Sequence, residues 1–262
     1  MNEHNDKKKN YGKLTNAHLK LIRSLELKKH REKQNLFVIE GEKMISDILK
    51  TNIKIRTIFA LKECIDSLSI LKPFEKELII VNNNELKKIS FLSNPNRILA
   101  IAEKPSLPFR KYDPNKPSIL LDTIQDPGNF GTILRTACWY GIDQVICSSK
   151  TADYLNPKVL QSSMGAFAHI NVMYKDLKAF LNDHNKANVY GATINGENIN
   201  NVNFAKNSII LIGNESKGIS KDILSFLNKK ITIPKYGPME SLNAAIATAV
   251  ICDKFRRDHP PH

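Results

Sequence analysis

The 262-residue chain contains no apolar run of about 18 residues, the length that would suggest a bilayer-crossing helix, so no membrane span is expected. Its opening, "MNEHNDKKKNYGK", carries positive charge with no apolar stretch behind it. Residues 1–10 are therefore expected to form a solvated, disordered basic tail and not a secretory signal. Cysteine is scarce and scattered: Cys64, Cys138, Cys147 and Cys252 form no CxxC pair and have no histidine at ligand spacing. That argues against a disulfide framework and fits a reducing cytoplasm; with seven dispersed histidines, it predicts no metal. The usual nucleotide cradles are also missing. No G-x-G-x-x-G follows the first strand and no G-x-x-x-x-G-K-[ST] occurs, which disfavours an NAD enzyme or an NTPase. Neither a Ser-His-Asp nor a Cys-His arrangement is suggested, and internal repeats and low-complexity tracts are absent.

Positive charge is plentiful. The formal net charge is +13, and it is uneven: residues 1–110 hold 22 Lys and Arg against 13 Asp and Glu, the remainder 17 against 13. Such a surface attracts polyanions and gains by counterion release, although a basic face can also serve solubility alone.

Hydrophobic patterning divides the chain. "NAHLKLIRSLELKKHREKQ" reads as one basic amphipathic helix, followed by a short strand "LFVIEG" and a helix from about Glu42 to Lys50. "IRTIFAL", "KELIIVN" and "RILAIAEK" are three further short apolar runs, so residues 11–104 are expected to form a small α/β domain. Four prolines in "KPSLPFRKYDPNKP" mark a linker over 105–117. Beyond it, over 118–262, apolar strands alternate with helices in the manner of a mainly parallel sheet covered on both faces.

Ligands of such sheets bind at the carboxyl ends of the strands. Three strand ends here carry glycine-bearing polar loops: "DPGNFGTILR", "LIGNESKGIS" and "ITIPKYGPMESLNAAIA". Each alone has a plain reading. Asp126-Pro127-Gly128-Asn129 suits a turn, Ser241 suits a helix N-cap, and Glu215 suits a solvated loop acid. Their recurrence in one half of the chain points to a shared site.

Those three segments resemble the motifs of the SpoU (TrmH-like) RNA ribose 2′-O-methyltransferases of the SPOUT superfamily, over roughly residues 118–256. "KKHREKQNLFVIEGEKMISDIL" is similar to the RNA substrate-binding domain often attached to that family. The resemblance implies an α/β fold whose carboxyl-terminal segment forms a deep trefoil knot, S-adenosyl-L-methionine as methyl donor, and a homodimer with the active site near its interface. It implies Arg135 as the catalytic arginine, partnered by Asn129, with Glu215, Ser241 and Asn243 as the polar groups of the other two motifs. Gly213, Ile233 and Leu242 fall where the family contacts its cofactor through the backbone, with Thr193 at the preceding strand end. Ser216 stands where glycine is frequent, and "SLNAA" replaces "SLNVS"; neither change removes a reacting group.

The implied reaction takes a proton from a ribose 2′-OH while its oxygen attacks a sulfonium methyl. Arg135 could be the base, or could clamp a phosphate and polarise the hydroxyl. Lys28, Lys29, Arg31 and Lys33 are the candidate phosphate contacts of the front domain, unless they are only a solvated helix face. Ribosomal RNA of the 23S class is the expected substrate. A tRNA 2′-O-methyltransferase, a base methylase and a non-catalytic RNA-binding assembly protein are the alternatives.

Overall fold

The computed structural model describes residues 11–105 and 110–260, Asp66 by its backbone alone. The tail expected over residues 1–10, and residues 106–109 of the expected linker, lie outside the described residues. The chain divides between Lys104 and Pro105 into two compact units.

In the first unit, the single basic helix read from sequence is two. Helix α1 (Asn16–Ser24) opens on a capping box in which the Thr15 hydroxyl accepts the His18 N–H and the His18 ring accepts the Thr15 N–H. The chain then turns, and α2 (Lys28–Gln34) follows. Two inward demands cause the break: Leu25 is fully buried, and the Arg31 guanidinium donates to the carbonyls of Leu25 at 2.8 Å and Glu26 at 2.7 Å. Next come β1 (Leu36–Glu40), α3 (Glu42–Ile48), β2 (Ile55–Ala60) and α4 (Lys62–Ser67). A 3-10 stretch, Ser69–Glu77, leads to β3 (Leu78–Ile80), α5 (Asn83–Ile89) and β4 (Ile98–Glu103). The sheet order is β1-β4-β2-β3, with β4 antiparallel to both neighbours and β3 parallel to β2. Ile22 and Leu25 pack on Val38, Phe59, Leu99 and Ile101 of the sheet to form its core.

The second unit runs β5 (Ser118–Leu121), α6 (Pro127–Trp139), β6 (Gln144–Cys147), α7 (Pro157–Ser163), β7 (Asn171–Tyr174) and α8 (Leu177–Asp183). It continues with β8 (Val189–Asn198), β9 (Ile209–Ile212), α9 (Lys221–Leu224), β10 (Lys229–Thr232) and α10 (Ala244–Asp258). Its six strands are all parallel, in the order β10-β8-β9-β5-β6-β7. Ile119, Leu120, Leu121, Val145, Ile146 and Ile209–Leu211 have no exposed surface, which is why these strands read as unbroken apolar runs. Strand β9 returns to lie between β5 and β8, so the loops after β5 and β9 emerge side by side. Among the described residues, no helix is long and apolar enough to cross a membrane.

Helices α6 and α7 approach more closely than any side chain at residue 131 would permit. A Cβ on Gly131 would sit 2.0 Å from the Ser162 hydroxyl and 2.4 Å from the Val159 carbonyl oxygen. Beyond Gly191, the pairing of β8 with β10 jumps to Glu197 between Lys230 and Ile231, so residues 192–196 depart from the ladder.

Candidate active site

The site is built where β5 and β9 end. Asp122, only 5% exposed, accepts the N–H of Ser220 at 2.8 Å and its hydroxyl at 2.5 Å, fastening the end of β5 to the loop that follows β9. Thr123 takes φ 64°, a left-handed conformation that costs a β-branched residue on the order of 1–3 kcal/mol. Neighbours from two other strand ends hold it there: its N–H donates to the Ser148 hydroxyl at 2.9 Å, and its carbonyl accepts from the Asn214 amide at 2.8 Å. Sequence reading passed over both residues. Neither is a glycine, and the isolated turn gives no sign that a threonine must be strained.

The segment "DPGN" is the first turn of α6 and not a separate loop. Asp126 is the N-cap, accepting the Asn129 N–H at 2.7 Å, and Pro127 opens the helix, where it needs no N–H partner. That bond, with the nearby Lys158 ammonium, holds the Asp126 carboxyl below the usual carboxylate range. The loop after β9 closes on itself, with Asn214 and Gly218 exchanging backbone hydrogen bonds of 2.9 Å. A Cβ on Gly213 would lie 2.3 Å from the Gly218 backbone, so this loop excludes larger residues there.

Three predicted residues, one from each motif, meet in a hydrogen-bonded chain. The Asn129 amide donates to Glu215 Oε1 at 3.0 Å, and the Asn243 amide donates to Asn129 Oδ1 at 2.8 Å. Asn243 is also the N-cap of α10, its Oδ1 accepting from Ala245 N at 2.9 Å and Ile246 N at 3.3 Å. The cap that Ser241 seemed suited to provide thus belongs to Asn243, two residues on, and Ser241 lies exposed in the preceding loop.

Arg135 does not join this chain. It lies on the exposed side of α6, six residues past Asn129, about 9 Å further along the axis and about 120° around it. It makes no hydrogen bond or ion pair among the described residues. Trp139, one turn further on the same stripe, is 85% exposed. Of the expected cofactor contacts, Gly213 directly follows β9, Ile233 follows β10, and Leu242, 53% exposed, precedes α10. Thr193 lies in the part of β8 that leaves the ladder, and the Thr232 hydroxyl, donating to the Ile194 carbonyl at 3.0 Å, ties that part to the stretch entering Ile233.

In the first unit, Lys28, Lys29 and Lys33 are exposed on α2, Lys28 in a loose pair with Glu32 at 3.8 Å. Arg31 corrects the expectation. It is 2% exposed, with its guanidinium turned onto the backbone of the α1–α2 turn, so it is a structural cation and not a phosphate contact. Among the described residues, no group of three or more His, Cys, Asp or Glu could hold a metal ion.

Known proteins share this architecture. The model of the SpoU rRNA Methylase family matches residues 116–253, and that of the MRM3-like substrate binding domain matches 16–100. The 23S rRNA (guanosine(2553)-2'-O)-methyltransferase RlmP of Bacillus subtilis is 31% identical over 247 residues, covering 92% of this chain and 96% of its own. A TrmH-family protein from Porphyromonas gingivalis superposes with a TM-score of 0.83 at 32% identity, over 94% of this chain and 99% of its own. The AdoMet-bound rRNA methyltransferase of Sinorhizobium meliloti does so at 0.85 and 27%, over 96% and 99%. With a family model that matches more than half of the chain and a relative of nearly its full length, the chain belongs to the SpoU rRNA methylase family.

Proposed function

We propose that this protein methylates a ribose 2′-OH of ribosomal RNA, with S-adenosyl-L-methionine as methyl donor. The observation that carries the reading is the Asn243–Asn129–Glu215 chain, which ties the three motif loops together at the first turn of the helix that carries the exposed Arg135. The name of the Bacillus subtilis relative supports the 23S substrate, and the AdoMet-bound neighbour supports the donor.

The residues present fit that donor. Between Thr232 and Ala244 the backbone belongs to neither helix nor strand, leaving N–H and C=O groups for an adenine edge and a carboxylate. Ile233 and Leu242 lie in this stretch, and the apolar side chains of Leu242 and Met239 are exposed over more than half their surface. The donor, when bound, supplies a methyl group already activated on a sulfonium. The protein's work is then positioning and charge. Arg135 presents a guanidinium fork to the phosphate beside the target ribose, and its positive charge favours loss of the hydroxyl proton to solvent water, a role its exposure favours over that of a buried base. Asn129 braces Glu215, which with Ser241 orients the ribose.

Trp139, on the exposed stripe of α6, and Ile246 at the start of α10, 52% exposed, are apolar surface that a homodimer covers. Arg135 then lies at the edge of that interface. The return of β9 to the middle of the sheet, with α10 packed on α6, supports the trefoil knot. Residues 11–104 serve as the RNA-binding domain, 105–117 as linker and 118–262 as the methyltransferase, acting in the cytoplasm on structured RNA.

The test is transfer of labelled methyl from S-adenosylmethionine to unmodified rRNA and tRNA, wild type beside Arg135→Ala, with the product mapped by ribose-methylation-sensitive cleavage. One ribose in 23S rRNA, lost in the variant, is the expected result. A product on tRNA or on a base moves the substrate, and cofactor binding absent with methylation absent overturns the reading.

A further inference from the structure

The first unit contains a cavity of about 480 Å³, within the range of small-ligand sites, bordered by Ile53, Lys54, Arg56, Phe74, Glu77 and Glu103 among others. Three irregularities converge on its wall. The β2–β4 ladder steps from Ile55 opposite Ala102 to Thr57 opposite Ile101, leaving Arg56 in a bulge, and bulges re-aim side chains beside sites. The bulged Arg56 reaches Glu103 across the strands at 3.3 Å, an exposed pair of little energetic weight that a stronger anion can displace. In the 3-10 stretch, Phe74 leaves helical geometry at φ −107°, ψ 25°. Glu77, at the end of that stretch, has Oε2 buried with no hydrogen-bond partner among the described residues. An unmet buried carboxylate oxygen invites a donor. The terminal torsion of a glutamate is soft, so the carboxylate can turn toward the cavity.

With both oxygens turned to the cavity, that carboxylate is matched by two adjacent N–H groups, with an aromatic face above them and an anion alongside. Guanine offers that edge, N1–H beside N2–H₂. Adenine and cytosine place one amino group beside an acceptor, and uracil flanks its single N–H with carbonyls. Unpaired RNA bases are read in this manner, stacked on aromatic rings and bonded along the Watson–Crick edge. We propose that the cavity takes an unpaired guanine of the substrate RNA, with its donor edge on Glu77, its face on Phe74 and a neighbouring phosphate on Lys54 and Arg56. The proposal rests on the reading of the chain as an RNA-modifying protein, and the match of residues 16–100 to a substrate-binding model favours RNA over a peptide.

The test measures binding of the full chain to fluorescein-labelled uridine pentamers carrying one central guanosine, inosine or adenosine. Guanosine is expected to bind about tenfold tighter than adenosine, with inosine, which lacks the N2 amine, between them. Glu77→Gln should bring guanosine to the level of adenosine at an unchanged melting temperature. Lys54→Ala, at an exposed position, should weaken all three alike. Equal binding of the three RNAs, or a guanosine preference that survives Glu77→Gln, overturns the proposal. So does Glu77-dependent binding of a blocked arginine peptide without a guanosine preference. Methyl transfer by the same preparations separates the two ideas. A Glu77-dependent guanosine preference without methylation keeps the pocket and sinks the enzyme reading; methylation without that preference does the reverse.

Discussion

Asn129 and Asn243 share one hydrogen bond, and each also makes bonds that the other does not. Asn243→Ala loses the 2.8 Å bond to Asn129, about 1 kcal/mol, and the cap of α10, about 1 kcal/mol more. Asn129→Ala loses the same shared bond and the 3.0 Å bond to Glu215; with Glu215 half-exposed to water, that second loss is also about 1 kcal/mol. Each single variant should therefore lose about 2 kcal/mol. The double variant should lose about 3 and not 4, because the shared bond can be removed only once. The coupling of about 1 kcal/mol is roughly a fivefold change in the unfolding constant. Asn243→Ser isolates it further. Serine caps as well as asparagine but is too short to reach Asn129, so it should lose about 1 kcal/mol in the wild type and nothing in the Asn129→Ala background. Urea unfolding followed by circular dichroism measures the cycle, and kcat/KM for methyl transfer measures it again at the site. Stabilities that add to within about 0.3 kcal/mol would refute the claim that this chain joins the motifs.

Gly131→Ala should be strongly destabilising, about 3 kcal/mol or more in thermal or urea unfolding, because its Cβ would lie 2.4 Å from the Val159 carbonyl oxygen and backbone must move. Glu40, whose carboxyl is pushed up by burial against the partial offset of the Ser90 and Phe91 bonds, is costly to ionise in the fold. Its stabilising contribution is complete below the unfolded carboxyl pKa of about 4.3 and is lost as pH rises through the higher folded value. Glu40→Gln should flatten that part of the stability–pH profile, and an unchanged slope would contradict it. Burial lifts the thiols of Cys64 to about 11 and Cys252 to about 12 and raises Cys147 further, so in the native protein at pH 8 a thiol reagent should find only the half-exposed Cys138. Rapid reaction of all four without denaturant would contradict this burial.

The sheet of the second unit was legible because its strands are buried on both faces and carry no polar alternation. That the three strand-end loops share a site was legible from their recurrence, but which residues belong to it came only through the resemblance, since 86 and 114 residues separate the bonded partners. Arg31 shows why the front helix misled. Periodicity treats every cation as a surface residue, whereas here the carbonyls of Leu25 and Glu26 draw one inward and break the helix. Asp122 and Thr123 were missed for a related reason. Their work is to hold other loops, and the partners, Ser220, Ser148 and Asn214, are distant in sequence.

The position of β9 has a consequence for synthesis. As the chain leaves a ribosome, β5, β6 and β7 can pair as soon as they emerge, but β8 has no finished neighbour among them. It waits for β9, which must enter between two strands already made, and only then do the loops bearing Asn129 and Glu215 face each other. Pairing of strands so far apart in sequence is slow, because long loops close before any contact rewards them. A nascent chain stopped short of Ile209 therefore carries an exposed edge on β5 and lacks the bond between Asn129 and Glu215, however well its first unit has folded. Catalysis is the last property this polypeptide acquires.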